Sequence, residues 1–423
     1  MKVGVGMKLT IIADDFTGSN DTGVQFAKKG LRTVVTTNLQ EFGENILNAE
    51  VAVIDTESRF DSAPVAFDKV NQVSKQLSGH HITFVYKKLD STFKGNVGAE
   101  IEACMDGFGY DFAILIPALP SNGRQTIEGH VIVNGTPLHL TEVANDPKTP
   151  VKKSYIPDIL SQQMDKRVHV VFKPLKGYDV LEVVETIKHH RSNGVEVLVF
   201  DAYDNEDLKQ LAAALRVYEE RFLMVGTAGL AEFLTDALQL KSRRCVLSII
   251  GSVSDVTRQQ IEYASNHHEL MVVDYDIDAM FDETLSHDVI NKVVKELKAG
   301  GHVVVRTAGH VEDVKKASLK AEALGLTTFE MSDRIAEKLG DLTSKVVDEA
   351  SDVISGLYIT GGDTLIKIAK HLGIEGMVIV KEVLPAIPMG RFISEKYQDI
   401  NIVTKAGGFG KIDAFDVILK ELR

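Results

Sequence analysis

Short apolar runs alternate with segments of helical period along almost the whole chain. LTIIA (9–13), TVVTT (33–37), VAVID (51–55), ITFVYK (82–87), FAILIPA (112–118), VHVVF (168–172) and VLVFDA (197–202) have the length and composition of strands. Between them lie amphipathic stretches such as DTGVQFAKKG and APVAFDKVNQVSKQLSG. In the second, Val65, Phe67, Val70, Val73 and Leu77 recur near helical spacing. Strands without a polar face, separated by helices, predict an α/β fold with largely parallel sheets.

The pattern breaks at 120–150. There SNGRQTIEGHVIVNGTPLHLTEVANDP holds a β-type run, an Asn134-Gly135 turn signal and a second short run, which reads as a β-hairpin inserted in the first domain. A second break falls at QLKSRR (239–244), a basic cluster after the helical AGLAEFLTDAL and directly before the strand-like CVLSIIGS. The alternation then resumes through LMVVDYD, HVVVRTA, GLYITGGDTLIKIAKHLG and INIVTKAGGFG. At 423 residues the chain exceeds what one core usually supports. The expectation is two α/β domains, 1–240 and 245–423, with an active-site cleft between them.

Composition narrows the class. The chain is 44% hydrophobic and 25% charged, ordinary for a globular protein, and has no apolar run near the ~18 residues of a membrane span. MKVGVG is too short for a signal peptide and reads as a short extension before Met7. A net charge of −13 argues against nucleic acid as partner. Cys104 and Cys245 are the only cysteines, which excludes a disulfide framework and suits a cytoplasmic protein with reduced thiols. A homodimer is the default assembly.

In open α/β sheets ligands gather outside the carboxyl ends of the strands. In the first half three polar clusters fall at such ends: Asp14 and Asp15 after LTIIA, DTESR (55–59) after VAVI, and KKLDS (87–91) after ITFVY. A strand-end acid is commonly a helix cap and a lone Arg a surface cation. The combination is more informative. Arg and Lys suit a carboxylate or phosphate, and Asp accepts from hydroxyls, so the set describes a pocket for a small acid bearing several hydroxyls.

The second half carries glycine-bearing turns, GSVS (251–254), TGGDT (360–364) and AGGFG (406–410), each following a strand-like run and preceding a helical one. Glycine permits close backbone approach, and helix N-termini attract phosphate, so these turns favour a nucleotide or polyphosphate. Neither a P-loop nor a GxGxxG fingerprint is present. The His pairs 80–81, 189–190 and 267–268 lie at helix ends and read as solvated side chains, not metal ligands.

IIADDFTGSNDTG, KKLDSTFKGNVGAEI, IPALPSNGRQTIEGH, GSVSDVTRQQI, TGGDT and AGGFG occur in this order over nearly the whole chain. As a set they resemble the four-carbon acid sugar kinases, and the ADDFTGSND form is similar to the D-threonate and D-erythronate branch. The resemblance implies a sugar-acid-binding N-terminal domain and an ATP-binding C-terminal one. It implies sugar-acid contacts at Asp14 or Asp15, Arg59, Lys87, Lys88, Leu89, Asp90 and Ser91. ATP contacts are implied at Ser252, at Thr360, Gly361, Gly362 and Asp363, and at Gly407 with Gly408.

On that footing Arg59 and a lysine of 87–88 hold the substrate carboxylate, and Asp90 with Ser91 its hydroxyls. Mg²⁺ screens the nucleotide phosphates without a dedicated protein cage. Asp15 and Asp363 are the candidate general bases, which sequence does not separate. Neighbouring side chains of an extended chain face opposite ways, so one of Asp14 and Asp15 binds substrate while the other caps the turn. The rival readings are a two-lobed small-acid sensor and a kinase for 3-oxo-tetronate or 4-hydroxy-L-threonine.

Overall fold

Eight parallel strands make up the main sheet of the first half: β1 (Leu9–Ala13), β2 (Thr33–Thr36), β3 (Val51–Asp55), β4 (Phe84–Lys88), β5 (Ala113–Ile116), β9 (Val168–Val171), β10 (Val197–Phe200) and β11 (Leu223–Gly226), in the order β2-β3-β1-β4-β11-β5-β10-β9. Between β5 and β9 the chain builds a small antiparallel sheet, β6 (Arg124–Ile127), β7 (His130–Val133) and β8 (Thr136–Pro137). The computed structural model describes residues 7–40, 42–47, 49–172, 178–240, 242, 244–309 and 311–423. The extension 1–6, and Lys241 and Arg243 of the basic cluster, lie outside the described residues. The chain divides into two units, Met1–Lys241 and Ser242–Arg423.

The strands are apolar on both faces because helices cover both. Ile12, Ala52, Ile54 and Val85 pack into one core with Val70, Val73 and Leu77 of the helix Ala63–Ser78. Leu9, Ile11, Val51, Val53 and Tyr86 pack into another with Phe26 of the helix Phe16–Ala27. Truncating a buried Leu or Ile of these cores, such as Ile54 or Leu77, to Ala costs roughly 2–5 kcal/mol.

The insertion is more elaborate than one hairpin. Glu128 and Gly129 (φ 51° and 73°) make the tight turn from β6 to β7, and Asn134-Gly135 (φ 48° and 79°) makes the turn from β7 to β8. The first turn is fastened to the main sheet, since Asp201, one residue past β10, accepts the Glu128 and Gly129 N–H groups at 2.7 and 2.9 Å.

The second unit holds a seven-stranded sheet of β12 (Cys245–Ile250), β13 (Leu270–Asp274), β14 (His302–Arg306), β15 (Ile354–Thr360), β16 (Met377–Leu384), β17 (Ile387–Phe392) and β18 (Asn401–Lys405), ordered β13-β14-β12-β15-β18-β17-β16. Five strands are parallel, and the β16–β17 hairpin is antiparallel to its neighbours.

Each sheet reverses its order beside its first strand. From β1 the chain runs out to β2, comes back through β3 and then places β4 on the other side of β1. From β12 it runs out to β13, comes back through β14 and then places β15 on the other side of β12. The loops that leave a sheet at such a reversal diverge and open a crevice. Asp14 and Lys88 border the first crevice; Gly251 and Gly361 border the second.

Candidate active site

At the first crevice Arg59 is the central group. Its Nε donates to Asp14 Oδ2 at 2.7 Å and its Nη2 to Asp14 Oδ1 at 3.0 Å, while the same Nη2 reaches Asp15 Oδ1 at 2.7 Å. Asp90 Oδ1 lies 3.9 Å from that nitrogen. Burial alone would raise the pKa of Asp14, but the Arg59 hydrogen bonds and the charges of Lys87 and Lys88 hold its carboxyl below the usual range. The two aspartates divide their tasks. Asp15 caps the helix Phe16–Ala27 by accepting from the Gly18 N–H at 3.1 Å, whereas Asp14 is buried at the end of β1.

The turn that delivers Arg59 is built residue by residue. Asp55 accepts from the Glu57 N–H at 3.0 Å, and Glu57 takes a left-handed conformation, φ 45°. Thr56 Oγ1 donates to Ala13 O and lies 2.7 Å from Ser58 Oγ, which in turn donates to Glu100 Oε1 at 2.7 Å. The Arg59 N–H donates to Asp14 O at 3.2 Å. Burial raises the Asp55 carboxyl above its ordinary value, and its Oδ2 is buried without a hydrogen-bond partner among the described residues.

Lys87 and Lys88 part company because successive strand residues face opposite ways. Lys87 points to the helix Val97–Phe108, where its ammonium meets Glu100 Oε2 at 2.7 Å with both side chains sealed from solvent. Burial would lower its pKa, but Glu100 and Asp14 more than offset this and keep it charged. Lys88 points to the other face, beside Gly18 (an added Cβ there would lie 2.7 Å from Lys88 Nζ). It is buried, and among the described residues it makes no ion pair or hydrogen bond through its ammonium. Burial pulls its pKa below the ordinary lysine value against the nearby charges of Asp14, Asp90 and Asp15.

The remaining expected residues are less uniform. Asp90 Oδ2 accepts from the Thr92 and Lys94 N–H groups and from the Thr92 hydroxyl, which leaves Oδ1 toward Arg59. Ser91 is half-buried just beyond. Leu89 does not present its side chain to the cluster: it is packed in the core, and its N–H pairs with Gly226 O at 2.9 Å. Sequence reasoning missed Glu100, and Ser58 it reached only as part of the DTESR cluster, with no role of its own. The signal for Glu100 was an acid inside KGNVGAEI, and its partner becomes visible only once the helix is docked.

At the second crevice the glycine turns stand abreast. Ile250 is in register with Thr360 and Thr360 with Lys405, so Gly251, Gly361 and Ala406 follow three neighbouring strand ends. Gly251 and Gly407 are close-packed, since added Cβ atoms would lie 2.1 Å from Thr364 Oγ1 and 2.2 Å from Ser252 Oγ. Gly361 needs its φ of 101°. Gly362 and Gly408 instead face open space, where a Cβ would meet nothing within 4 Å. The helices Asp255–Ser265 and Gly362–His371 both start without a side-chain cap, which leaves N–H groups for an anion. Open glycines beside uncapped helix starts fit the phosphates of a nucleotide. Asp363 is exposed in the first turn of the second helix; Thr360 contributes backbone only, its side chain being fully buried.

A lysine that sequence reasoning passed over holds the third turn. The Lys405 Nζ donates to the carbonyls of Ala406, Gly407 and Phe409 at 3.0–3.2 Å, and Gln260 Nε2 donates to those of Phe409, Gly410 and Lys411. Burial lowers the Lys405 pKa to about 8. A lysine at a strand end directly before AGGFG was the available signal.

Two family models match the chain: a sugar-binding N-terminal domain over residues 9–234 and a nucleotide-binding C-terminal domain over residues 247–415. The chain belongs to the four-carbon acid sugar kinase family. Among similar members of this family, the D-threonate kinase of Salmonella typhimurium is 37% identical over 410 residues, 96% of each chain. The D-erythronate kinase of Heliobacterium modesticaldum is 31% identical over 96% of this chain and 95% of its own. A crystal structure of a domain of unknown function from Bordetella bronchiseptica, a domain-swapped dimer with bound citrate, shares 27% identity at a TM-score of 0.50 and covers 98% of each chain.

Proposed function

We propose that this enzyme transfers the γ-phosphoryl group of ATP to the C4 hydroxyl of a four-carbon sugar acid, with D-threonate the substrate and 4-phospho-D-threonate the product. The observation that carries the reading is the buried Lys88 side chain, whose ammonium has no partner among the described residues and lies near an Arg59 that already bridges two aspartates. An unpaired buried charge is costly, so a site that keeps one is built for an incoming anion. A carboxylate meets Lys88 and the free edge of Arg59; substrate hydroxyls donate to Asp14, Asp15 and Asp90, the acceptors nearby. The relatives named D-threonate kinase in Salmonella typhimurium and Bordetella bronchiseptica support the choice of acid.

In the second unit Ser252, the Gly361–Gly362 turn and Gly407–Gly408 would hold the phosphates, and the exposed Asp363 would be the carboxylate to hold an accompanying Mg²⁺, which would screen their charge. ATP when bound supplies the phosphoryl group. The bond from its γ-phosphorus to the ADP oxygen breaks as the bond to the C4 oxygen forms, and the proton of the C4 hydroxyl passes to a carboxylate. Asp15 serves best as that base: its Oδ1 is held by Arg59 and the Gly18 N–H, and its Oδ2 carries no hydrogen bond among the described residues. Such a base contributes roughly 10²–10⁴-fold. The enzyme works in the cytoplasm, where ATP is kept. A homodimer accompanies this reading, supported by the dimeric Bordetella bronchiseptica relative.

A coupled ADP-release assay across D-threonate, D-erythronate, 3-oxo-tetronates and 4-hydroxy-L-threonine tests the proposal. The highest kcat/KM is expected with D-threonate. ADP release with none of the four would remove the kinase reading.

A further inference from the structure

We infer that Asp146, at the end of the inserted segment, is a positioning residue for acid binding: through Lys94 it holds the turn that sets Asp90 and the flank of Arg59. The inference rests on the sugar-acid reading of the first unit and gives the insertion a part in it.

Asp146 uses both carboxylate oxygens. Oδ1 accepts from the Lys148 and Thr149 N–H groups at 3.0 and 2.9 Å and folds its own loop, while Oδ2 meets the Lys94 ammonium at 2.7 Å. The Lys94 bond and those two N–H groups hold the carboxyl well below its usual range, so it stays ionised. Lys94 lies four residues past Asp90, and its own N–H points to Asp90 Oδ2 at 3.4 Å. It sits between two residues of left-handed conformation, Phe93 (φ 56°) and Gly95 (φ 89°). Such a conformation costs a residue with a side chain about 1–3 kcal/mol and persists only where the surroundings impose it.

The same turn packs directly on the arginine of the acid site. A Cβ at Gly95 would lie 3.1 Å from Arg59 Cγ and 3.2 Å from Arg59 O. The Asn96 amide donates to the carbonyls of Ser58 and Asp61, both at 3.0 Å. From the other side Gln163 Nε2 donates to Gly95 O at 3.2 Å, and Gln163 Oε1 accepts the Gly98 N–H at 2.7 Å. The turn is thus clamped between the residues of the acid site and the chain that follows the small sheet, and Asp146 supplies the charged contact of that clamp. Loop and turn leave a polar recess of about 340 Å³ between them, lined by Phe60, Gly95, Asn96, Thr149 and Lys152, so close packing does not stand in for the ion pair.

An exposed ion pair typically contributes about 0–1 kcal/mol to stability, because two mobile side chains must be ordered to form it. Here the loop orders Asp146 beforehand, and the Lys94 and Asp146 side chains are only 29% and 21% exposed. Cutting the tie therefore costs little global stability. Its effect falls on Asp90, whose Oδ1 lies 3.9 Å from Arg59 and which the acid reading makes an acceptor for substrate hydroxyls.

The test uses the full chain with Asp146→Asn, Lys94→Met and the two combined. Asp146→Asn keeps an oxygen for the loop N–H groups and turns an NH₂ to the Lys94 ammonium. D-threonate binding is measured by calorimetry, with kcat, both KM values and the thermal midpoint alongside. Each single change is expected to weaken D-threonate binding and raise its KM by about threefold or more, with kcat and the KM for ATP within about twofold of the parent. The combined variant should be no worse than the weaker single one by more than about twofold, since both cut one tie. Lys94→Arg, which keeps the charge, should stay within about twofold of the parent. Unchanged acid affinity in both single variants would overturn the inference, as would additive losses in the combined one. Losses shared equally by kcat, the KM for ATP and the thermal midpoint would also overturn it, since they mark general loosening. If the parent binds none of the four acids of the coupled assay, the sugar-acid reading itself falls and this inference with it.

Discussion

The Lys87 ammonium rests 2.7 Å from Glu100, whereas Lys88, the next residue, points the other way and is buried without a carboxylate partner among the described residues. One lysine of the pair is therefore structural and the other is available to a ligand. Removing one member of a buried pair leaves an uncompensated charge, typically worth about 3–5 kcal/mol. Glu100→Gln is expected to lower stability by that order in urea denaturation. The double change Lys87→Met with Glu100→Leu should recover most of the loss yet remain less active, because the Arg59 turn then loses the Ser58–Glu100 hydrogen bond that ties it to the helix Val97–Phe108.

Lys88 makes acid binding sensitive to alkaline pH. Its folded pKa is depressed by burial, so between that value and the ordinary 10.5 the unfolded chain holds more protons than the folded one. Over this window the Lys88 contribution to stability rises with pH, while the grip on a carboxylate weakens as the ammonium is lost. KM for the sugar acid should climb with pH below the range of a free lysine, and Lys88→Met should flatten that climb.

Gly18 is required for room. A methyl group there would fall 2.5 Å from Asp15 Oδ1 and 2.7 Å from Lys88 Nζ, displacing the helix cap and the free cation together. Gly18→Ala is expected to retain a folded first unit, since the helix otherwise gains about 1 kcal/mol of propensity, and to lose at least about tenfold in kcat/KM, ~1.4 kcal/mol of transition-state stabilisation. Steady-state kinetics alongside a melting curve checks both halves.

Lys405 couples nucleotide binding to pH in the second unit. With a pKa of about 8 it loses its proton above that point, and a neutral amine has one donor fewer for the carbonyls of Ala406, Gly407 and Phe409. The sign for stability is opposite: from about pH 8 toward the unfolded lysine value, stability rises as the cost of a buried ammonium is relieved. ADP affinity should decline above pH 8 in the parent, and Lys405→Met should be weak and indifferent to pH over the same range.

Much of this was legible in the sequence. Runs apolar on both faces announced the parallel sheets, polar residues at strand ends marked the first crevice and glycine-bearing turns the second. Two pieces of the fold were not. Leu223–Gly226 is a four-residue run that inserts between β4 and β5 in space, a pairing that local pattern does not encode. The β16–β17 hairpin carries Val378, Ile379 and Val380 exposed, so it lacks the alternation by which a half-buried strand is read. In the site, residue types were readable and pairings were not. The alternation that separated Asp14 from Asp15 applies equally to Lys87 and Lys88, but it does not say which side holds Glu100. Leu89 was a contact only by the family resemblance; its side chain belongs to the core.

The central claim is that the first unit grips a sugar acid through Lys88. Calorimetric titration of D-threonate into the parent and Lys88→Met, without nucleotide, tests it most directly. The account predicts binding by the parent, a loss of about tenfold or more in the variant, and a melting temperature for the variant no lower than the parent's, because an unpaired buried charge has gone. Equal affinity in the two proteins would contradict it.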